Sequence, residues 1–234
     1  MSKARHKPTY FLSIFCLIVI LDLWVGSIGE DAWRHFTKPL ILGALIAFFA
    51  SNGRSLGKGT YILTLLALIF SWFGDVFLMY ESISSKYFVA GLVSFLTAHV
   101  LYSILFFKVG KSSLNKAFWA VLILLLIYGA FLFTWIQDGL GALKIPVIFY
   151  ITIILLMALL AFGRKGKVPT HSFTLVFIGA LFFIVSDSVL AINKFLTEVP
   201  YSHIIIMGTY ATAQFMITKG ILIQEDIVGS RKYS

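Results

Sequence analysis

Two aspartates interrupt long apolar runs of this sequence, Asp75 in FSWFGDVFLMY and Asp187 in LFFIVSDSVLAIN. A carboxyl group in the hydrocarbon of a bilayer costs roughly 3 kcal/mol on insertion scales, so it persists only where packing, pairing or function supports it. Two carboxyl groups that meet in a low dielectric resist ionising together, so one can donate a proton while the other stays charged. The pair therefore predicts a site for general acid–base chemistry.

Other polar residues recur in the apolar runs at helical spacing. His99 and Tyr102 are three residues apart and Tyr210 and Gln214 are four apart, so each pair shares one face of a helix. Such pairs either line a cavity around the aspartates or hydrogen-bond between helices as packing contacts. Asp22 is open to the same two interpretations, because Lys38 or Lys194 is available as a structural ion-pair partner.

Three residues near predicted helix ends are candidates for binding a lipid phosphate. Asn193 and Lys194 lie at the outer end of one apolar run, and Lys38 precedes Pro39 at the start of another. A lysine at the membrane interface either anchors the helix there or pairs with a phosphate. We predict all three as substrate phosphate-binding residues.

The elements that carry these residues are membrane-spanning helices. The chain has 234 residues, of which 59% are hydrophobic and 12% charged, and around 20 helical residues cross about 30 Å of hydrocarbon. We predict an all-α polytopic membrane protein with eight transmembrane helices in one domain, residues 1–234. The predicted spans are approximately 10–28, 36–51, 61–80, 87–108, 117–135, 143–162, 172–191 and 201–223.

The distribution of basic residues predicts the orientation and the partners. Of 19 Lys and Arg residues, most fall on the side of the two termini, which predicts a cell-membrane protein with both termini in the cytoplasm. The opposite side carries only Arg34, Lys38, Lys86, Lys144 and Lys194. The net charge of +9 lies in short loops between apolar runs and forms no basic stripe with stacking aromatics. We therefore expect membrane lipids rather than nucleic acid as partners, and the sequence gives no oligomeric state.

Short similarities between the two halves of the chain suggest an internal repeat. Gly74-Asp75-Val76-Phe77-Leu78 is similar to Ser186-Asp187-Ser188-Val189-Leu190, and Thr97-Ala98-His99 is similar to Thr212-Ala213-Gln214. Four helices in each half would form a possible 4+4 parallel repeat and place the aspartates across a pseudo-twofold axis. Chance similarity is the alternative, because the identities are few.

The order and spacing of these motifs resemble the YhhN-like lysoplasmalogenase family over nearly the whole chain, from about residue 10 to 223. The similarity is carried by Lys38-Pro39-Leu40, Gly74-Asp75, Ala98-His99 with Tyr102, Ser186-Asp187-Ser188, Asn193-Lys194-Phe195, and Tyr210 with Ala213-Gln214. The resemblance implies eight membrane helices and hydrolysis of the vinyl ether bond of lysoplasmalogens, lysophospholipids that yield a fatty aldehyde and a glycerophospho-base. The family's acidic pair corresponds to Asp75 and Asp187.

Vinyl ether hydrolysis is chemistry that an aspartate pair can perform. The demanding step is protonation of a carbon, after which water adds to the resulting oxocarbenium ion; one carboxyl group supplies the proton and the other stabilises the cation or accepts a proton from water. Which aspartate takes which role stays open. His99, Tyr102, Tyr210 and Gln214 are expected to orient water or the carboxyl groups.

Other functions fit the sequence less well. A serine hydrolase is disfavoured because no Gly-x-Ser-x-Gly elbow occurs, and Asp75, His99 and Asp187 form only an unsupported zinc set. We therefore expect no metal and no cofactor. The main alternative is a proton-coupled membrane transporter of a small or lipid-like substrate, which would also use intramembrane carboxyl groups and repeats. A noncatalytic lipid-binding protein is a third possibility.

Overall fold

A computed structural model describes residues 8–29, 31–109 and 115–224, and these residues form eight α-helices. Short 3-10 turns occur after the second helix and between the fifth and sixth helices. The helices are α1 (Pro8–Ser27), α2 (Asp31–Asn52), α3 (Lys58–Met79), α4 (Ser85–Val109), α5 (Lys116–Ile136), α6 (Lys144–Phe162), α7 (Thr170–Phe195) and α8 (Ser202–Ile223).

The helices confirm an all-α, multi-pass membrane protein. Within the described part of the chain, seven helices, α1 to α7, are long and apolar enough to cross a bilayer. The eighth, α8, is 22 residues long but less apolar, because it carries His203, Gln214 and several threonines. Gln214 and Thr218 are fully buried, so α8 turns these two polar side chains towards the other helices and away from lipid.

The predicted start of the second helix is wrong. The hydropathy pattern placed it near residue 36 with Pro39 in its first turn, whereas α2 begins at Asp31 and contains Pro39 in its interior. The two turns before Pro39 are polar because Arg34, His35 and Lys38 face a cavity within the bundle. A search for apolar runs misses such turns, since it assumes that every turn in the membrane faces lipid.

Two pairs of helices form the most extensive contacts, α3 with α4 and α7 with α8. Each pair carries one of the two aspartates, Asp75 on α3 and Asp187 on α7. Equivalent pairs of this kind are what a 4+4 repeat would produce, and the repeat stays a prediction. The two pairs are connected by α2, which contacts α3 and α8, and by α6, which contacts α4 and α7.

A buried arginine links helices at the end of the bundle that contains the start of α1 and the end of α8. Arg164, in the connection between α6 and α7, is fully buried there. Its Nη2 donates to Ser172 Oγ at 3.1 Å and to Gln224 Oε1 at 2.8 Å, and its guanidinium lies 5.4 Å from the centre of the Phe106 ring. These contacts tie α4, α7 and the end of α8 together.

Candidate active site

A polar cavity of about 560 Å³ occupies the other end of the bundle. Its walls come from the first turns of α2 and α8, the last turns of α3 and α7, and the connection between α3 and α4. Asp75 and Asp187 both line this cavity. The structure therefore places two carboxyl groups from distant parts of the sequence on one space that is open to water.

Asp75 lies among a cation and a phenol. Its Oδ2 accepts a hydrogen bond from the Tyr210 hydroxyl at 2.9 Å, and its Oδ1 lies 4.0 Å from Lys38 Nζ. The side chain is 3% exposed. The ammonium group and the phenol both stabilise a carboxylate, whereas burial of the side chain opposes its charge.

A second layer of polar contacts lies one helical turn below this group. Ser71 lies four residues before Asp75 on α3, and Gln214 lies four residues after Tyr210 on α8. The Nε2 of Gln214 donates to Ser71 Oγ at 2.9 Å. Tyr102 donates to Gln214 Oε1, also at 2.9 Å. Tyr102 and Gln214 are fully buried and do not line the cavity. They support the floor of the cavity by fixing α3, α4 and α8.

Asp187 has different partners. Its Oδ2 accepts from the Tyr150 hydroxyl at 2.5 Å and lies 3.3 Å from His99 Nε2, and the two donors are themselves 3.1 Å apart. His99 is fully buried, and no described residue bonds to its Nδ1. A buried N–H without an acceptor is costly, so Nε2 carries the proton and donates towards Asp187. The Asp187 side chain is 14% exposed.

A narrow apolar cavity of about 50 Å³ meets the polar cavity at Asp187. It lies among α4, α5, α6 and α7, and its walls are aliphatic and aromatic apart from Asp187, Ser188, Tyr128 and Tyr150. Four residues line both cavities and define the junction: Leu78, Phe95, Asp187 and Leu190. A carboxyl group at this junction faces an apolar channel on one side and a wet polar space on the other.

Two glycines allow the junction side chains to pack closely. A Cβ atom at Gly74 would lie 2.6 Å from Phe95 Cε2, and one at Gly91 would lie 2.8 Å from Leu78 Cδ2. Real Cβ atoms do not approach other atoms this closely. The glycine beside Asp75 therefore has a packing role, since it admits the ring that separates the two cavities.

Asp22 is fully buried behind the polar cavity. Its Oδ1 accepts from Thr37 Oγ1 at 2.6 Å, and its Oδ2 lies 3.9 Å from His203 Nε2. The partners that the sequence suggested, Lys38 and Lys194, lie elsewhere: Lys38 is beside Asp75, and Lys194 pairs with Glu81. Asp22 therefore supports a cavity-lining histidine and is not itself among the lining residues.

The zinc set considered from the sequence is not assembled. Among the residues that the structure describes, no three His, Cys, Asp or Glu side chains gather closely enough to hold a metal ion. His99 joins Asp187 but not Asp75, so the geometry separates the two carboxyl groups into two differently supported positions.

Comparison with known proteins places this site in a family. The model of the YhhN family matches residues 33–221, which include both aspartates and all of their described partners. The chain belongs to the YhhN family.

Curated relatives extend the YhhN match over almost the full chain. Lysoplasmalogenase TMEM86A of Bos taurus is 35% identical over 218 residues, covering 90% of this chain and 86% of the relative. Lysoplasmalogenase TMEM86B of Homo sapiens is 33% identical over 223 residues, covering 94% and 90% of the two chains. No solved structure matches the chain.

Several residues that line the cavities of this YhhN protein were not selected from the sequence. Tyr150 was missed because it is one of few polar residues in the apolar helix α6 and has no polar neighbour at helical spacing on the sequence to mark it. Arg34 was assigned only to the topology, and His35 and His203 were not considered, yet all three line the polar cavity. A clustering of basic residues in the turns before Pro39 was the signal that could have identified the two on α2.

Two predicted phosphate-binding residues have structural partners. Lys194 Nζ lies 3.0 Å from Glu81 Oε2 and 4.9 Å from the centre of the Phe88 ring, and it is not among the cavity-lining residues. Asn193 lines the cavity, but its Oδ1 accepts the backbone N–H of Val199 at 2.9 Å and so fixes the connection to α8. Lys38 is the predicted residue that combines a positive charge with a place in the cavity.

Proposed function

We propose that this protein is a membrane hydrolase that cleaves the vinyl ether bond of lysoplasmalogen-type lysophospholipids with Asp75 and Asp187. The observation that carries the proposal is the junction, where Asp187 lines an apolar and a polar cavity and Asp75 lines the polar one. The relatives named lysoplasmalogenase support the same reaction class.

The two cavities suit the two parts of such a substrate. The first carbons of an alkenyl chain would enter the narrow apolar cavity, and the glycerophospho-base would occupy the polar cavity, which contains Lys38 and Arg34. The vinyl ether is the bond that joins these two parts. It would therefore lie at the junction beside Asp187, where apolar and polar surroundings meet.

We assign proton donation to Asp187 and electrostatic stabilisation to Asp75. Asp187 donates its proton to the vinyl carbon farther from the ether oxygen, and the electron pair of the double bond forms the new C–H bond. The resulting oxocarbenium ion is stabilised by the charge of Asp75, which Lys38 and Tyr210 hold in place. Tyr150 and His99 position Asp187 for this transfer.

Water then completes the reaction. It adds to the carbon next to the ether oxygen and gives a proton back to Asp187, which restores the acid. The hemiacetal collapses when its hydroxyl proton is lost and the glycerol oxygen leaves with a proton, so one water is consumed for each aldehyde and alcohol formed. The polar cavity gives this water access to the junction.

The shape of the cavity favours hydrolysis over proton-coupled transport. A carrier needs a path towards each side of the membrane, but the described lining ends near Asp75, Asp187 and Tyr210. The fully buried layer of Ser71, Gln214 and Tyr102 lies below it. With the termini in the cytoplasm, as the basic residues suggest, the cavity opens at the outer face of the cell membrane. Part of that charge, at Lys3, Arg5, Lys7, Lys111, Arg231 and Lys232, lies outside the described residues.

Three lysophospholipids with the same headgroup and chain length test the proposal when offered to the detergent-purified protein. They carry a vinyl ether, an alkyl ether or an ester at the same position. We expect aldehyde release from the vinyl ether and no cleavage of the other two, because neither is activated by protonation of a carbon. Ester cleavage at a comparable rate, or proton-dependent uptake into vesicles without any aldehyde, would overturn it.

A further inference from the structure

The entrance of the polar cavity is basic on the side formed by α2 and α8. Arg34, His35 and Lys38 line it from α2, and His203 lines it from the first turn of α8. Among the described residues that line this entrance, one is acidic, Glu81, and it pairs with Lys194 at 3.0 Å. The aspartates lie deeper, so the described lining of the entrance carries more basic than acidic side chains.

Arg34 is held by a chain of hydrogen bonds that leads into the bundle. Its Nη2 lies 3.0 Å from His203 Nδ1, and because a guanidinium group only donates, Nδ1 is the acceptor. The other ring nitrogen of His203, Nε2, therefore carries its proton and donates to the backbone oxygen of Asp22 at 3.4 Å. Thr37 fixes the carboxyl group of Asp22 in turn.

A close approach of α1 makes this chain possible. A Cβ atom at position 26 would overlap the imidazole of His203, so glycine leaves room for the ring where it lies. The ring of His203 is thus held by its contacts with Gly26 and Asp22, and Thr37 holds Asp22. In turn, His203 accepts a hydrogen bond from Arg34 and fixes its position. A side chain that merely anchored α2 in the headgroup region would not need such support.

The spacing of Arg34 and Lys38 matches the spacing within a glycerophospholipid. The two residues are four apart on α2, so they lie on one face about 6 Å apart along the helix axis, with Lys38 at the level of Asp75. In the substrate, five bonds of about 1.5 Å separate the ether oxygen from the phosphorus and span roughly 6 Å. With the ether oxygen at the depth of the aspartates, the phosphate reaches the depth of Arg34.

We infer that Arg34, positioned by His203, binds the phosphate of the lysophospholipid headgroup. The planar guanidinium of Arg34 offers paired donors that match two phosphate oxygens, whereas Lys38 is a point charge beside Asp75. The inference rests on the proposed function for the identity of the lipid. It replaces Lys194 with Arg34 as the main phosphate contact.

Binding of an uncleavable alkyl-ether lysophospholipid to the full-length protein tests this inference apart from catalysis. Arg34→Gln should weaken binding of this phospholipid by at least about 10-fold, as expected for loss of a charged hydrogen bond. The affinity for the matching 1-alkylglycerol, which lacks the phosphate, should stay within twofold of wild type. The affinity of Arg34→Lys for the phospholipid should lie between those of wild type and Arg34→Gln. Arg54→Gln, at the opposite end of α2, is the matched control and should change neither affinity.

The outcomes separate the phosphate site from other roles. Equal weakening for both ligands in a folded Arg34→Gln protein would assign Arg34 a structural role, and wild-type affinity for the phospholipid would overturn the inference. Inorganic phosphate alone should fail to displace the lipid, since displacement at matched concentration would assign the site to free phosphate. If the phosphate effect is found but no vinyl ether is cleaved, the phosphate site stands and the proposed reaction fails.

Discussion

Asp75 and Asp187 are similar in sequence context but differ in what surrounds them. Asp75 is nearly fully buried between an ammonium group and a phenol, whereas Asp187 is more exposed and is held by a phenol and an imidazole. Asp187 alone of the two lies between the apolar and the polar cavity. We propose that the two carboxyl groups take different roles because their neighbours differ.

Removing the acid gives the largest expected effect. Asp187→Asn keeps the size of the side chain but removes the proton that we assign to the vinyl carbon. We expect kcat for aldehyde release to fall by about 1,000-fold, with unchanged binding of the alkyl-ether lysophospholipid. A variant that binds the ligand and retains more than a tenth of the wild-type kcat would contradict the assignment of Asp187.

Removing the stabilising charge should cost less. Asp75→Asn leaves Lys38 facing the cation without its carboxylate partner, and we expect a fall in kcat of about 100-fold. The double variant Asp75→Asn with Lys38→Met also removes the unpaired positive charge of Lys38, and it should recover part of this loss of kcat. If Asp75→Asn is as inactive as Asp187→Asn and the double variant recovers nothing, the proposed division between the two carboxyl groups is wrong.

The hydroxyl of Tyr150 provides a sharper comparison with a matched control. Tyr150→Phe removes the 2.5 Å hydrogen bond to Asp187, and we expect kcat to fall by about 10-fold. Tyr128 lines the same apolar cavity but bonds to Ser188 Oγ at 2.7 Å, so Tyr128→Phe should stay within threefold of wild type. Equal losses of kcat in the two variants would show that both hydroxyls support the cavity in general, and that the bond to Asp187 has no separate effect.

The apolar side of the junction is tested by filling it. Ala191 lines the apolar cavity, so Ala191→Phe should raise KM about fivefold for long alkenyl chains and less for short ones. Ala130→Phe, at an exposed position in a groove between α5 and α6 that does not line the apolar cavity, is the control. A KM that rises equally for every chain length would show that the alkenyl chain does not bind in the apolar cavity.

The buried layer below Asp75 should affect stability more than chemistry. Tyr102→Phe leaves Gln214 Oε1 without its donor, which we expect to lower the free energy of unfolding by about 1 kcal/mol, as measured for hydrogen bonds between membrane helices. Thermal unfolding in detergent measures this change. If kcat falls more than it does in Tyr150→Phe, Tyr102 takes part in the reaction and does not only support the cavity.

The helices and the aspartate pair could be predicted because their signals are local. A run of apolar residues reports a span, and a carboxyl group within it is costly wherever it lies. The partners could not be predicted in the same way. Tyr150 and Asp187 are 37 residues apart, and Lys194 and Glu81 are 113 apart, so only the packing of the helices decides that they meet.

The start of α2 shows the complementary failure. Its first turns are polar because they face water inside the bundle, and hydropathy alone assigns such turns to a loop. This error also hid Arg34 and His35 as residues that line the polar cavity. Polar turns next to a proline at the edge of an apolar run are therefore worth testing as cavity walls.

Hydrolysis of a lysoplasmalogen in water labelled with heavy oxygen tests the central chemical claim most directly. If a carbon of the vinyl ether is protonated and water adds to the oxocarbenium ion, the label enters the aldehyde, which is trapped by reduction as it forms. The glycerophospho-base then keeps the original ether oxygen. Heavy oxygen in the glycerophospho-base would show attack on the glycerol side of the ether and would contradict the mechanism.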